Sequence, residues 1–196
     1  KEAVIKNISG MIDRLKTLNP DFMLLQELDT DATRSHHVNE REMAEKAFPE
    51  MSAAFAVNYH SAYLFYPFLE PHGASDAGIL TLADCEIESA IRRSLPVETG
   101  LTKFLDLDRC YSVSRIPVSN GKTLCLYNLH LSAYTSDGTI ANDQLEMLIA
   151  DMQAEYEAGN YVVGGGDFNK DLLGDSAAIF GVSGENYTWA QPIPEG

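Results

Sequence analysis

The residues best suited to chemistry lie between Tyr161 and Lys170, where an apolar run ends in three glycines followed by Asp167, Phe168 and Asn169. Glycines permit a tight exit from a strand and a close approach of the backbone to a ligand. In an extended chain, residues two apart point the same way, so the carboxylate and the amide should face one site. A group that accepts a proton from water, beside one that donates a hydrogen bond, suits the hydrolysis of a phosphate ester. The alternative is a polar turn that caps the next segment.

A second candidate is Glu27, which follows the apolar run Phe22–Gln26 and precedes a polar segment. The run predicts a buried strand, and the segment after it predicts a loop. A carboxylate at the end of a strand suits a hard metal ion such as Mg²⁺ or Mn²⁺. A solvated acid at a strand end is the alternative interpretation of the same pattern.

A third candidate pair is Asn128 and His130, which end another apolar run. Residues two apart in a strand share a face, so the amide and the imidazole should emerge side by side. Histidine can donate a hydrogen bond to a phosphoryl oxygen or carry a proton near neutral pH. A purely structural histidine fits the pattern equally well. Two arginines, Arg34 and Arg109, are candidates for binding a phosphate, although each is also compatible with a surface charge.

The elements that must position these residues follow from periodicity and turn signals. Apolar residues at helical spacing predict helices over Glu2–Leu18 and Ile140–Tyr156, and Asn39 is a suitable N-cap for a third helix that reaches about Phe48. The dipeptide Asn120-Gly121 between two β-rich runs predicts a hairpin. Residues 61–77 contain two prolines and several aromatic residues and predict a long loop. Mixed helices and strands with an antiparallel hairpin indicate an α/β or α+β sandwich.

Charge and cysteine content narrow the possible functions. The 196 residues carry a net charge of −15, so the chain lacks the overall positive field that attracts nucleic acid or anionic lipid. A bound divalent metal would still allow it to act on phosphates, because the ion supplies local positive charge. Three cysteines without a paired spacing favour buried thiols at Cys110 and Cys125 and a reducing compartment such as the cytoplasm. Because the chain does not begin with Met, secretion stays open.

Together, the order of the motifs resembles the endonuclease/exonuclease/phosphatase superfamily of DNase I-like, metal-dependent phosphoesterases. The matching segments are Leu-Leu-Gln-Glu ending at Glu27, then Asn128–Leu131, and finally Gly166–Asn169. The resemblance extends from about Val4 to at least Asn169. It implies a four-layer α/β sandwich, in which two mixed β-sheets pack face to face between helices.

The resemblance also assigns roles by position. It implies that Glu27 binds a divalent metal, usually Mg²⁺, and that Asp167 orients and deprotonates the attacking water. It further implies that Asn169 positions water and phosphate, that His130 lies near the scissile phosphate, and that Asn128 shapes the strand end beside it. The function expected from these roles is metal-dependent hydrolysis of phosphoester bonds, as in a phosphodiesterase, a phosphatase or a nuclease.

Two elements expected of the superfamily are missing from the 196 residues. The first is an initial strand with a metal-binding Asn, and the second is a C-terminal Ser-Asp-His segment. Residues 1–196 are therefore expected to form a single domain that is partial at both ends and inactive by itself. A non-catalytic binding or scaffold protein that retains the sandwich is the alternative, and the ends of the complete gene product would distinguish the two.

The charge and the aromatic residues of the sequence indicate the substrate only by broad class. The acidic charge favours a phosphorylated small molecule or a lipid headgroup over nucleic acid, although nucleic acid is possible. The aromatic stretch 63–68 could contact a lipid or a small organic group, but a packed loop or strand is the favoured interpretation.

Overall fold

The computed structural model describes residues 1–64, 73–97, 108–133, 139–171, 173–174, 176–181 and 191–192. The helices and strands, in chain order, are α1 (Glu2–Leu18), β1 (Phe22–Ala32), α2 (Glu40–Ala47), β2 (Ser52–Leu64), β3 (Gly73–Ala83), β4 (Ser89–Ser94), β5 (Cys110–Pro117), β6 (Thr123–His130), α3 (Thr139–Glu157), β7 (Tyr161–Asp167), β8 (Lys170–Asp171), α4 (Ser176–Ile179) and β9 (Gln191–Pro192). They form a three-stranded sheet in the order β1-β3-β2, a four-stranded sheet in the order β4-β5-β6-β7, and a short pair, β8-β9. The predicted α+β sandwich is confirmed.

The three-stranded sheet is antiparallel and separates two apolar layers. Side chains alternate along β3, so that Leu80 and Leu82 pack against α1 and α2 while Ala83 packs against the other sheet. On the far side of the four-stranded sheet, α3 contributes Leu148 to a core with Tyr111 and other residues of β5 and β6. The order of layers is thus helices, sheet, sheet and helix.

The four-stranded sheet is mixed, and its parallel pair sets the position of the site. Strands β4, β5 and β6 are antiparallel, and the predicted Asn120-Gly121 turn joins β5 to β6, with Gly121 at φ 81°. Helix α3 then returns the chain to β7, which is parallel to β6. Because parallel strands end at the same edge of a sheet, the C-terminal residues of β6 and β7 are neighbours: His130 pairs in register with Asp167.

Two sequence predictions about element boundaries were wrong. Strand β1 does not end at Gln26 but continues to Ala32 across a bulge between Leu25 and Leu28. The loop predicted over residues 61–77 is wrong at both ends, because β2 reaches Leu64 and β3 begins at Gly73. The rest of the aromatic stretch, at positions 65–68, lies outside the described residues.

Other sequence predictions hold. Helix α1 has the predicted bounds, and the Asn39 side chain accepts a hydrogen bond from the backbone N–H of Glu42 at the start of α2. Cys110 and Cys125 are buried free thiols. None of the helices in the described part of the chain combines the length and the apolar character that crossing a membrane requires.

Candidate active site

A bulge in β1 presents the Glu27 carboxylate. The regular pairing with β3 is interrupted between Leu25 and Leu28, and Glu27 adopts a left-handed backbone conformation with φ 57°. A bulge re-aims side chains, and a non-glycine residue at positive φ is costly unless its surroundings hold it there. The Gln26 side chain supplies such a hold: its amide donates to the Leu24 carbonyl at 2.9 Å and to Asn128 Oδ1 at 2.8 Å. The Glu27 side chain stays 60% exposed.

The ends of β6 and β7 bring an imidazole and a carboxylate together. His130 Nε2 lies 3.7 Å from Asp167 Oδ2 and 3.9 Å from Glu27 Oε1. The imidazole is buried, whereas the Asp167 side chain is 49% exposed. Three of the predicted site residues, Glu27, His130 and Asp167, therefore lie close together, although they come from β1, β6 and β7.

Asn169 is held by a turn and not by an extended strand, so the parity argument for the pair Asp167 and Asn169 was wrong. The backbone of Asn169 has φ 49°, and its N–H donates to Asp167 Oδ1 at 2.8 Å. Its side-chain amide donates to the Leu131 carbonyl at 2.7 Å, and the Leu131 N–H donates to the Asp167 carbonyl. These bonds fix the Asp167 carboxylate against the end of β6.

The three glycines before Asp167 make room for protein atoms. A Cβ at Gly166, whose φ is 143°, would overlap the Leu129 carbonyl oxygen, and one at Gly165 would lie 2.9 Å from Leu24 Cδ1. A Cβ at Gly164 would lie 3.0 Å from Met152 Cε. The glycines thus permit close packing of β7 on its neighbours, whereas the sequence pattern suggested close approach of a ligand.

Asn128 lies behind the site and is completely buried. Its Oδ1 accepts the bond from Gln26, and its Nδ2 donates to the Leu25 carbonyl at 3.4 Å and to Thr81 Oγ1 at 3.3 Å. The amide therefore ties β6 to β1 and β3 just behind the bulge. Through Gln26, the Asn128 amide supports the bulge that presents Glu27.

Arg34 is bound mainly to Asp29, a residue that the sequence interpretation missed. Arg34 Nε donates to both Asp29 carboxylate oxygens at 3.1 and 3.0 Å, Nη2 donates to Oδ1 at 2.7 Å, and Nη1 lies 3.6 Å from Glu27 Oε2. These hydrogen bonds to Asp29 raise the Arg34 pKa despite partial burial, so the guanidinium stays charged. Burial raises the pKa of the neighbouring Glu40, whose carboxylate accepts from the Asp29 N–H. No local pattern marks Asp29, because only its burial distinguishes it from other acids.

The four residues Glu27, His130, Arg34 and Arg109 line one cleft of about 250 Å³ between the two sheets. Asp167 does not line the cleft, but its Oδ2 lies 3.7 Å from Nε2 of His130, which does. The Arg109 carbonyl accepts a hydrogen bond from the Leu95 N–H, which fixes the backbone of that arginine at the start of β5. The remaining lining residues come from β2 and β3: Asn58, Tyr59, Ser61, Gly73, Ser75, Ala77 and Gly78.

The described side chains offer a metal ion one exposed carboxylate at the bulge. They include no group of three or more His, Cys, Asp or Glu residues that could enclose an ion. Such a site is compatible with Mg²⁺, which keeps several waters and is commonly bound through one or two carboxylates together with substrate phosphate.

Comparison with known proteins gives structural neighbours but no match in sequence. No protein-family model matches the chain, and no curated protein is significantly similar to it. Among solved structures, the human Nocturnin catalytic domain is 16% identical with a TM-score of 0.61, and the match covers 85% of this chain and 57% of that one.

Two further neighbours agree with this one. An endonuclease/exonuclease/phosphatase protein from Beutenbergia cavernae is 16% identical over 83% of this chain and 42% of its own, with a TM-score of 0.62. ANGEL2, described as a 2',3'-cyclic phosphatase, is 18% identical over 87% of this chain and 45% of its own, with a TM-score of 0.58. The chain thus spans about half the length of these neighbours, and at such low identity the likeness establishes a common fold.

Proposed function

We propose that this chain, whose fold is that of the endonuclease/exonuclease/phosphatase proteins, is the major part of a metal-dependent hydrolase of phosphoester bonds. The observation that carries the proposal is the convergence of Glu27 and Asp167 on His130 Nε2, within 3.9 Å, from three different strands. At one edge of a sandwich, one carboxylate can bind a cation together with water and phosphate, the second can activate water, and the imidazole can donate to a phosphate.

Asp167 would act as the base toward the attacking water. Its Oδ1 is engaged by the N–H of Asn169, whereas its side chain remains half exposed, so the other oxygen can accept from a water molecule. The Leu131 N–H and the Asn169 side chain anchor this turn, and the bond from the Asn169 N–H keeps the carboxylate from rotating. Restricting its orientation lowers the entropic cost of reaching the productive geometry.

His130 and the arginines would meet the phosphate. The Nε2 atom of His130 can donate to a phosphoryl oxygen, and it lies between the two carboxylates at the edge of the cleft. Arg109 and Arg34 line the same cleft and supply positive charge for the remaining phosphate oxygens. In this proposal Asn169 holds the Asp167 turn and completes the polar surface near the water.

Glu27 would hold the divalent metal, Mg²⁺ or Mn²⁺. When bound, the ion supplies Lewis acidity that stabilises negative charge on the phosphate oxygens. The chain contributes the position of the ligand: the bulge turns the Glu27 carboxylate into the cleft, and Gln26 with Asn128 keeps the bulge in place.

The preferred substrate is a phosphorylated small molecule or a lipid headgroup. The cleft of about 250 Å³ suits a small group, and a net charge of −15 opposes the approach of a nucleic acid that must be bound over many phosphates.

The test compares metal binding and turnover in the longest natural polypeptide that carries these residues. Wild-type protein should hydrolyse bis-p-nitrophenyl phosphate with Mg²⁺ or Mn²⁺ and lose this activity in EDTA. Glu27→Gln should weaken Mn²⁺ binding, measured by electron paramagnetic resonance, and lower turnover about 10²-fold or more.

The matched control is Glu45→Gln, which removes a carboxylate that pairs with Arg41 on α2, away from the cleft. It should leave Mn²⁺ binding and turnover at the wild-type level. Turnover that survives EDTA, or that is equal in Glu27→Gln and wild type, would contradict the proposal. Inactivity of the natural polypeptide on a panel of phosphoesters would favour the binding role instead.

A further inference from the structure

An arginine on the outer strand of the four-stranded sheet fastens the two sheets together beside the cleft. Arg92 lies on β4 and is exposed, yet all three nitrogens of its guanidinium are bonded. Its Nε donates to the Val57 carbonyl at 2.8 Å, its Nη1 to Ser94 Oγ at 2.6 Å, and its Nη2 to the Asp108 carbonyl at 2.7 Å. The rigid, planar fork therefore joins β2 to the residues just before β5.

Two of these acceptors directly precede residues that line the cleft. Val57 is followed by Asn58, and Asp108 is followed by Arg109. Arg92 itself is not among the described residues of the cleft wall, so its influence on a bound phosphate would be indirect.

The backbone of Arg109 lies just outside the regular pairing of β4 with β5, which ends at Cys110. The preceding residue, Asp108, has a left-handed backbone with φ 69°, which a non-glycine residue keeps only when its surroundings hold it. Its carbonyl accepts from Arg92 Nη2 at 2.7 Å. The next carbonyl, that of Arg109, accepts from the Leu95 N–H at 2.9 Å. The position of the Arg109 side chain thus depends in part on Arg92.

The other end of the fork meets β2 at an irregularity, because the register between β2 and β3 shifts just after Val57. The Val57 carbonyl accepts from Arg92 Nε and also from the Cys110 thiol, the latter at 3.3 Å. Burial raises the pKa of this thiol to about 11, so it stays protonated and can donate. Asn58 Oδ1 accepts from the Cys110 N–H at 2.9 Å. These bonds connect β2 to the start of β5 directly beside Arg109.

From these contacts we propose that Arg92 is a positioning residue, which holds the Arg109 guanidinium where it can bind a phosphate in the cleft. The inference rests on the proposed phosphoesterase function, in which Arg109 binds phosphate oxygens. A charge-assisted hydrogen bond depends strongly on geometry, so a small displacement of Arg109 should weaken the bond to phosphate.

A double-mutant cycle tests whether Arg92 acts through Arg109. The natural polypeptide and its variants are assayed with Mg²⁺ for kcat and KM on bis-p-nitrophenyl phosphate, and for binding of inorganic phosphate by titration calorimetry. Arg109→Met should lower kcat/KM about 100-fold, and Arg92→Met about tenfold, because a displaced guanidinium keeps part of its interaction. In the Arg109→Met background, Arg92→Met should change kcat/KM less than about twofold.

The same measurements distinguish positioning from general support of the fold. A purely structural role would lower the active fraction, and hence kcat, but would leave KM and the phosphate Kd unchanged. Loss of positioning should instead raise both KM and the phosphate Kd in Arg92→Met. Thermal midpoints ensure that only folded proteins are compared, and Arg92→Lys can replace Arg92→Met in the cycle.

Two further variants separate position from charge. Arg92→Lys keeps the charge but offers one ammonium to acceptors on three segments, so it should lose nearly as much as Arg92→Met. Arg93→Met is the matched control, because it removes the same charge from the next residue of β4, whose half-exposed side chain lies 3.7 Å from Asp151. It should stay within about twofold of wild type.

Equal effects of Arg92→Met in the two backgrounds, full activity of Arg92→Lys, or an equal loss in Arg93→Met would overturn the positioning role and leave the hydrolase. Wild type that does not turn over the diester, but binds phosphate with a dependence on Arg92 that requires Arg109, would overturn the hydrolase and support positioning in a binding protein. The absence of both turnover and phosphate binding would overturn both.

Discussion

Two regions of this protein use the same kinds of side chain in opposite ways. On the α3 side of the four-stranded sheet, Arg115 donates to Glu155, Asn160 donates to the same carboxylate at 2.7 Å, and the Tyr111 hydroxyl donates to Asp151 at 2.7 Å. At the sheet edge, Glu27 and Asp167 lie 3.9 and 3.7 Å from His130, too far for a direct hydrogen bond.

The contrast indicates which charged groups stabilise the fold and which remain available for a ligand. The α3 cluster consists of Tyr111, Arg115, Asp151, Glu155 and Asn160. Its donors and acceptors satisfy one another, and its two carboxylates are largely enclosed. The carboxylates of the candidate site are exposed by about half and retain unused lone pairs. Carboxylates that are brought close without a bonded donor keep oxygen atoms free to bind a cation.

Arg34 belongs to both categories. It is bonded to the buried carboxylate of Asp29, as in the α3 cluster, while its Nη1 faces the exposed carboxylate of Glu27. Its guanidinium therefore contacts both a buried carboxylate and the exposed carboxylate of the candidate site.

The largest expected effect is a loss of turnover, which should occur when the candidate site is changed and not when the α3 cluster is changed. Asp167→Asn should lower phosphodiester turnover about 10³-fold, because the amide cannot accept a proton, while Oδ1 can still accept from the Asn169 N–H. The thermal midpoint should hardly change, and initial rates on bis-p-nitrophenyl phosphate provide the measurement.

Asp151→Asn is the corresponding change in the α3 cluster, where the carboxylate accepts from Tyr111. Its turnover should stay within about twofold of wild type. Equal losses of activity in the two variants would refute the distinction between the regions.

The next effect concerns Arg34. Replacing it by Met leaves the Asp29 carboxylate, whose side chain is 3% exposed, without its cation, and should cost about 3 kcal/mol in the free energy of unfolding. Urea denaturation at pH 7 measures the loss. For comparison, Lys46→Met breaks an exposed pair with Glu42 on α2 and should hardly change the free energy of unfolding, because solvent screens exposed pairs. Similar losses in the two variants would mean that Asp29 does not depend on Arg34.

The smallest effect depends on pH. Burial opposes ionisation of Glu155, but hydrogen bonds from Asn160, Arg115 and Cys125 outweigh it and lower the Glu155 pKa from its ordinary 4.5. A lowered pKa in the folded state contributes stability that is present above about pH 4.5 and is lost as the pH falls through the folded-state value. Arg115→Met should therefore cost about 1 kcal/mol at pH 7, with the partial exposure of the pair taken into account.

The difference between Arg115→Met and wild type should shrink as the pH is lowered to 3, as followed by urea denaturation across the pH range. Arg93→Met removes a half-exposed arginine that lies 3.7 Å from Asp151, and its effect should be below about 0.5 kcal/mol at either pH. A cost for Arg115→Met that is constant with pH would show that Glu155 does not carry the effect.

Local patterns in the sequence predicted several of the elements and were enough to name the candidate residues. Helical periodicity predicted α1 with its observed bounds, Asn39 predicted the start of α2, and Asn120-Gly121 predicted the hairpin. These signals depend on interactions within a few residues, so no knowledge of the remaining chain is needed to interpret them. The same holds for the candidates Glu27, His130 and Asp167, each of which ends or interrupts an apolar run.

Only the tertiary structure decided how those residues are aimed and what holds them. The bulge at Glu27 depends on β3 and on a bond from Gln26 to an asparagine 102 residues away, and the glycines before Asp167 are required by contacts with Leu129, Leu24 and Met152. The Arg34–Asp29 pair acquires its significance from the burial of the Asp29 carboxylate. Register, bulges and burial are set by contacts between strands distant in sequence, and no local pattern encodes those contacts.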